Sequence, residues 1–160
     1  MNKACITISN MFLVVFLLTS CNGSEDVSPV SIGEDYVNQQ ILIRVPDYSN
    51  TLKTADPISL ELKYNSNNRI VFPNDYNLRV FERTSDEWIE IKQKPVERYP
   101  TDDIVLAPDR EISIVQIVVV FPEIPNLEEK HLLRIYVFGD MEVNGDVVEV
   151  AAYTDVRLNP

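Results

Sequence analysis

The stretch Ile58-Ser59-Leu60-Glu61-Leu62-Lys63-Tyr64 decides the fold class. Positions 58, 60, 62 and 64 carry apolar or aromatic side chains, and positions 59, 61 and 63 carry polar ones. A period of two lays one face of a strand on a core and the other in water. Upstream, Ile41-Leu42-Ile43-Arg44-Val45 reads as another strand, stopped by Pro46, which has no N–H to give to a ladder. Downstream, the runs 78–83 and 88–92 flank Thr84-Ser85-Asp86-Glu87, a polar stretch suited to a hairpin turn. Further β-branched or apolar runs follow at 104–106, 111–121, 132–138, 141–143 and 147–158. No segment of ten or more residues carries a helical stripe, and 123–131 could hold one short helical turn at most. The expectation is an all-β fold, an antiparallel sandwich of about 7–9 strands. A small barrel is the alternative that alternation alone does not separate.

The run 111–121 is apolar on both faces. Ile112, Ile114, Val118 and Val120 point one way, and Val115, Ile117, Val119 and Phe121 the other. Such a strand is either central and covered on both sides or part of a partner surface. The central position is the expectation.

The N-terminus reads differently. Lys3 supplies a positive start, 11–18 an apolar run, and Leu18-Thr19-Ser20-Cys21 small residues ending in cysteine. This is the order of a secretory signal peptide, and the run falls well short of the roughly 20 apolar residues a membrane span needs. The tetrapeptide resembles the lipobox of bacterial lipoproteins, Leu-x-[Ser/Ala/Gly/Thr]-Cys. That resemblance implies acylation of the Cys21 thiol, cleavage just before it, and a membrane anchor through lipidated Cys21. A cleaved signal without lipidation is the rival reading. Residues 22–34 hold Gly23, Ser24, Glu25, Asp26, Ser28, Pro29, Ser31 and Gly33 and few apolar side chains, the composition of a flexible linker. Ser24-Glu25-Asp26 resembles the acidic export signals of some Bacteroidota lipoproteins, which implies the outer membrane or cell surface. The organisation expected is a lipoprotein signal peptide over 1–20, a lipidated cysteine and linker over 21–35, and a β-sandwich domain over 36–160.

Fourteen Lys and Arg face 25 Asp and Glu, for a net charge of −11. Losing the leader removes Lys3 and no acid, leaving 13 basic residues against 25 acidic, net −12. Such a charge opposes nucleic-acid phosphates, whose binding rests on basic contacts, so no nucleic-acid partner is expected. Of the two cysteines, Cys5 lies in the leader, so the mature chain has no thiol beyond Cys21. Cysteine nucleophiles, Cys-ligated zinc and iron–sulfur clusters are thereby excluded.

A second resemblance is carried by Tyr76-x-Leu78-x-Val80-Phe81-Glu82-Arg83, a polar turn, and Glu87-Trp88-Ile89-Glu90-Ile91. This hairpin is similar to one found in bacterial immunoglobulin-like domains. Leu106-Ala107-Pro108-Asp109-Arg110-Glu111-Ile112 and Leu133-Arg134-Ile135-Tyr136-Val137 add a turn and a strand of the same kind, with Asp109-Arg110 where that family has Gly-Glu. The resemblance spans about residues 56–139 and implies an immunoglobulin-like sandwich. It implies nothing about function, because such sandwiches host many functions.

Candidate sites are few. Asp140-x-Glu142-x-Asn144-Gly145-Asp146 begins like a calcium loop, but its twelfth position is Ala151, where a bidentate carboxylate is required. Asn144-Gly145 between β-forming residues is also the strongest hairpin signal, a type I′ turn. The hairpin is expected, with a weak cation site on Asp140, Glu142 and Asp146 as the alternative, and neither metal nor cofactor is assigned. His131, the one histidine, follows Glu128-Glu129-Lys130 and is expected in a solvent-facing loop. No Gly-x-Ser-x-Gly elbow accompanies it, so no nucleophilic triad is nominated and no catalytic residue is assigned. Trp88 is either an exposed aromatic platform or a cap at the core edge. Tyr48 and Tyr99 sit in polar loops of the kind that carry binding in sandwiches. The function expected is non-catalytic contact with a protein or glycan, or a structural role in the envelope. The alternative is an inhibitor or accessory subunit of an envelope enzyme, acting through an edge strand or the Pro-rich loop 121–127.

Overall fold

Alternation along the chain becomes nine strands in a computed structural model describing residues 28–32, 36–46, 52–94, 102–108 and 116–160. They are β1 Ile41–Arg44, β2 Ile58–Tyr64, β3 Ile70–Phe72, β4 Arg79–Arg83, β5 Trp88–Ile91, β6 Ile104–Leu106, β7 Gln116–Val120, β8 His131–Val143 and β9 Asp146–Leu158. All strand pairings are antiparallel, and they form two sheets, one ordered β1-β2-β7 and a six-stranded one built around β8. The all-β sandwich is therefore the observed architecture. No helix among the described residues is long and apolar enough to cross a membrane.

The period of two places the core. Ile58, Leu60 and Leu62 of β2, Ile41 and Ile43 of β1, and Val118 and Val120 of β7 are buried. They pack with Ile70, Phe72, Val80, Leu133, Ile135, Val137, Met141, Val150, Ala152, Val156 and Leu158 of the larger sheet. Fully burying a side chain of this size contributes about 1.5–3 kcal/mol, so this layer supplies most of the drive to fold.

β8 organises the larger sheet. Along one edge β9 pairs with it from His131↔Leu158 to Val143↔Asp146. Along the other edge β4 takes Leu133–Tyr136 and β3 takes Asp140 and Met141. β3 and β4 thus lie end to end as one interrupted strand, and the chain loops out over 73–78 between them. Tyr76 and Asn77 turn this loop at φ 59° and 44°. The Tyr76 carbonyl accepts the Phe138 N–H at 3.0 Å, so the ladder keeps a bond where the strand breaks. Outside these, β5 pairs with β4 and β6 with β3.

Three sequence expectations change here. The runs 132–138 and 141–143 are one 13-residue strand, because Gly139 and Asp140 continue the ladder. β3 is a strand with no counterpart among the sequence runs, since three residues are too short for alternation to register. Among the described residues β7 ends the three-stranded order, where a central place is expected from the sequence. Its far side is met beyond Val120, where Lys94 N–H donates to the Phe121 carbonyl and Glu123 N–H to the Lys92 carbonyl, both at 2.8 Å. Val119 is half-buried; residues 109–115 lie outside the described residues.

Both expected turns form. Asn144 and Gly145 take φ 53° and 92° between paired Val143 and Asp146, as a type I′ turn requires. Thr84 closes the other hairpin, its N–H donating to the Glu87 carbonyl at 2.9 Å and its hydroxyl accepting the Glu87 N–H at 3.2 Å.

Gly139 faces the core where Phe72 lies across it. A Cβ there would stand 2.9 Å from Phe72 Cε1 and 3.0 Å from the Val71 carbonyl oxygen. Phe72 is fully buried and packed in the core, so moving it aside disturbs its neighbours. Gly139→Ala should therefore destabilise the domain by about 1–3 kcal/mol, the usual cost of overpacking. Urea unfolding of the two proteins side by side checks this, and equal midpoints would contradict it.

Candidate functional site

The face of the larger sheet turned away from the core is not polar. On β8 the odd positions, Leu133, Ile135, Val137 and Met141, enter the core, while Arg134, Tyr136 and Phe138 alternate onto the opposite face. Phe81, Tyr153 and Trp88 join them from β4, β9 and β5, and register brings them together through Phe81↔Arg134, Tyr136↔Tyr153 and Arg83↔Trp88.

The side chains form a ladder of rings and guanidinium groups. Arg134 Cζ lies 4.4 Å from the Trp88 ring centroid and 4.5 Å from that of Tyr153. Arg83 Cζ lies 5.4 Å from the Trp88 centroid. Tyr153 and Tyr136 follow at 5.1 Å, and Tyr136 stacks on Phe138 at 5.7 Å with 18° between ring planes. Phe81 meets the Tyr136 ring edge to face at 5.8 Å, and Arg79 Cζ sits 5.1 Å from the Phe81 centroid.

Carboxylates fix two of the guanidinium groups. Arg134 donates from Nε and Nη2 to the two Asp155 carboxylate oxygens at 2.7 and 2.9 Å. Arg79 does the same to Glu90 at 2.8 and 2.6 Å. The hydrogen bond from Arg79 holds the Glu90 carboxyl below its usual range and raises the Arg79 guanidinium in turn. Paired forks of this kind hold flat cations in register with flat rings; Phe81, Arg134, Tyr136 and Phe138 are buried, and Trp88, Tyr153, Arg79 and Arg83 keep the surface that a partner group could meet.

Residues 28–32 rest on this face. Composition points to a flexible linker here, but Val30 and Ile32 pack against Phe81, Tyr136, Phe138 and Ala151. Ser28 Oγ lies 3.0 Å from Tyr136 Oη. The two apolar side chains in an otherwise polar stretch account for the difference. Burial pushes the Tyr136 phenol above its usual range, against the Ser28 hydrogen bond and the Arg134 charge, so it stays neutral.

Of the residues nominated from sequence, Trp88 lies in the ladder, half-buried, with both readings partly realised: it packs at the sheet edge and keeps some surface open. Tyr48, Tyr99, Leu18, Thr19, Ser20 and Cys21 lie outside the described residues. Asp140, Glu142 and Asp146 stand exposed around the hairpin, and no group of three or more His, Cys, Asp or Glu in a metal-holding arrangement occurs among the described residues.

His131 is a correction. It is buried as the first residue of β8 and does not face solvent. Its Nδ1 meets a Glu82 carboxylate oxygen on β4, and its Nε2 lies 2.6 Å from the Asn126 carbonyl oxygen. The three charged residues before it suggest a loop, but pairing with Leu158 continues the strand. Both ring nitrogens face acceptors, which the doubly protonated imidazolium fits. Burial pulls the imidazole down, but the Glu82 and Asn126 hydrogen bonds, with the charges of Glu82 and Glu129, outweigh it, and its pKa rises above the ordinary value.

A raised folded pKa makes a stabilising contribution that is complete below about pH 6.5, the unfolded value, and is lost as pH rises through the folded value. Urea midpoints should accordingly be higher at pH 6 than at pH 8, and Glu82→Gln should shrink that difference. An unchanged difference in the variant would contradict the pairing.

The chain matches no known protein family, no curated protein and no solved structure.

Proposed function

We propose that the chain is a lipid-anchored extracytoplasmic lipoprotein whose immunoglobulin-like sandwich binds a protein or glycan without catalysis, at the outer membrane or cell surface. The observation that carries this reading is Leu18-Thr19-Ser20-Cys21 at the end of a short apolar run with a basic start. The ring-and-guanidinium ladder around Trp88 supports the binding part, because aromatic and Arg side chains dominate recognition surfaces. Tyr48 and Tyr99 are additional contact candidates.

Crosslinking on intact cells followed by capture of the full chain tests the binding part. The wild type should recover one partner reproducibly, and Trp88→Ala should lose it. Repeated recovery of nothing, protein or glycan, would contradict the proposal.

A second reading, an inhibitor or accessory subunit of an envelope enzyme, is favoured by one feature. Leu127 is half-exposed on a loop pinned at both flanks, by Thr54 Oγ1 donating to the Leu127 carbonyl at 2.9 Å and by His131 at the Asn126 carbonyl. An apolar side chain on a held loop suits insertion into a partner. Stoichiometric loss of activity in envelope proteases or hydrolases mixed with the purified domain would select this reading.

A further inference from the structure

We propose that residues 28–32 form a strap that turns the outer face of the six-stranded sheet toward the bilayer and holds it close. The partner met by the Trp88 ladder would then lie at the membrane surface. This rests on the anchor at Cys21 proposed above.

The strap is docked by its own side chains. Val30 and Ile32 lie on Phe81, Tyr136, Phe138 and Ala151, which are 4%, 0%, 5% and 0% exposed although they sit on the face opposite the core. Ser28 Oγ donates to the Val30 carbonyl at 3.0 Å, closing a small turn, and meets Tyr136 Oη at the same distance. Tyr136 is flanked by Tyr153 of β9 and Arg79 of β4, so Ser28 sits over the interior of the sheet and not at its rim.

Length then fixes orientation. From Cys21 to Ser28 an extended chain reaches about 25 Å, whereas from Cys21 to Tyr36 it would reach about 50 Å. A docked strap halves the tether and attaches it to the ladder face. That face cannot turn outward without stripping Val30 and Ile32 off the rings. Leu42 and Arg44 of β1, in the other sheet, are then directed away from the membrane.

Trp88 is the one tryptophan, and it lies on the face in question, so it reports directly. The mature chain, whose sole thiol is Cys21, is coupled to a maleimide lipid in phosphatidylcholine vesicles carrying a dansyl headgroup. Energy transfer from tryptophan to dansyl is then read. Efficient transfer is expected from Trp88. Moving the tryptophan to the opposite sheet, with Trp88→Phe and Leu42→Trp, should lower it clearly. Val30→Asp with Ile32→Asp doubles the reach and should lower transfer from Trp88 severalfold, because transfer falls with a high power of separation. Equal transfer from positions 88 and 42 would overturn the proposal, as would full transfer in a folded strap variant. If the strap variant fails to fold, the two tryptophan positions still decide. Because the lipid is attached chemically, these outcomes stand whether or not cells acylate Cys21, and a failure of native lipidation would be seen separately.

Discussion

Tyr136→Ala should lower the unfolding free energy by about 3–5 kcal/mol, as large a loss as removal of a ring from an ordinary core. Tyr136 lies on the outer face of its sheet, where a strand residue usually meets water. It is nevertheless fully buried, between Phe138, Tyr153 and Phe81 and beneath the strap that Ser28 begins. Truncation would open a cavity under Val30 and Ile32 and leave three rings without their central partner. For a domain whose whole stability is about 5–15 kcal/mol, the loss is a large fraction. Tyr136→Phe separates the ring from its hydroxyl. It removes the hydroxyl's bonds to Ser28 and Arg134 and should cost about 1–3 kcal/mol. Urea unfolding of both variants checks the pair, and a loss near zero for Tyr136→Ala would mean that the outer cluster is not a second core.

Cys21→Ala should abolish lipid attachment, leaving the protein released or uncut. Thioether formation requires the sulfur, so alanine leaves no attachment point for a diacylglyceryl group. The rest of the mature chain offers no substitute: its net charge of −12 disfavours anionic lipid. Fractionation should move the protein from membrane to soluble fractions, or leave it with its leader uncut. A variant that sediments with membranes and migrates like the wild type would remove the anchor from the proposal.

Much of the fold was legible in the chain because alternation reports burial directly. Ile58 to Tyr64 shows the core face without any tertiary knowledge, and Asn144-Gly145 specifies its own turn. The length of β8 was hidden by Gly139 and Asp140, weak strand formers that read as a break, although Gly139 is there to admit the Phe72 ring. β3 was hidden by shortness, and the place of β7 in its sheet because an apolar run does not say what covers it. The ladder was half visible. Arg134, Tyr136 and Phe138 alternate with Leu133, Ile135 and Val137, a pattern of two different apolar faces that marks a strand covered on both sides. What single-strand reading lacks is register, which alone brings Trp88, Arg134 and Tyr153 together. His131 shows the same limit, because its partners Glu82 and Asn126 come from another strand and a preceding loop.

The mass of the native N-terminal peptide, taken from protein purified out of its own membrane, tests the lipid-anchored reading most directly. The expected result is a chain beginning at Cys21 and heavier than its sequence by the mass of attached fatty chains. An unmodified amino end, or a peptide still carrying residues 1–20, would contradict it.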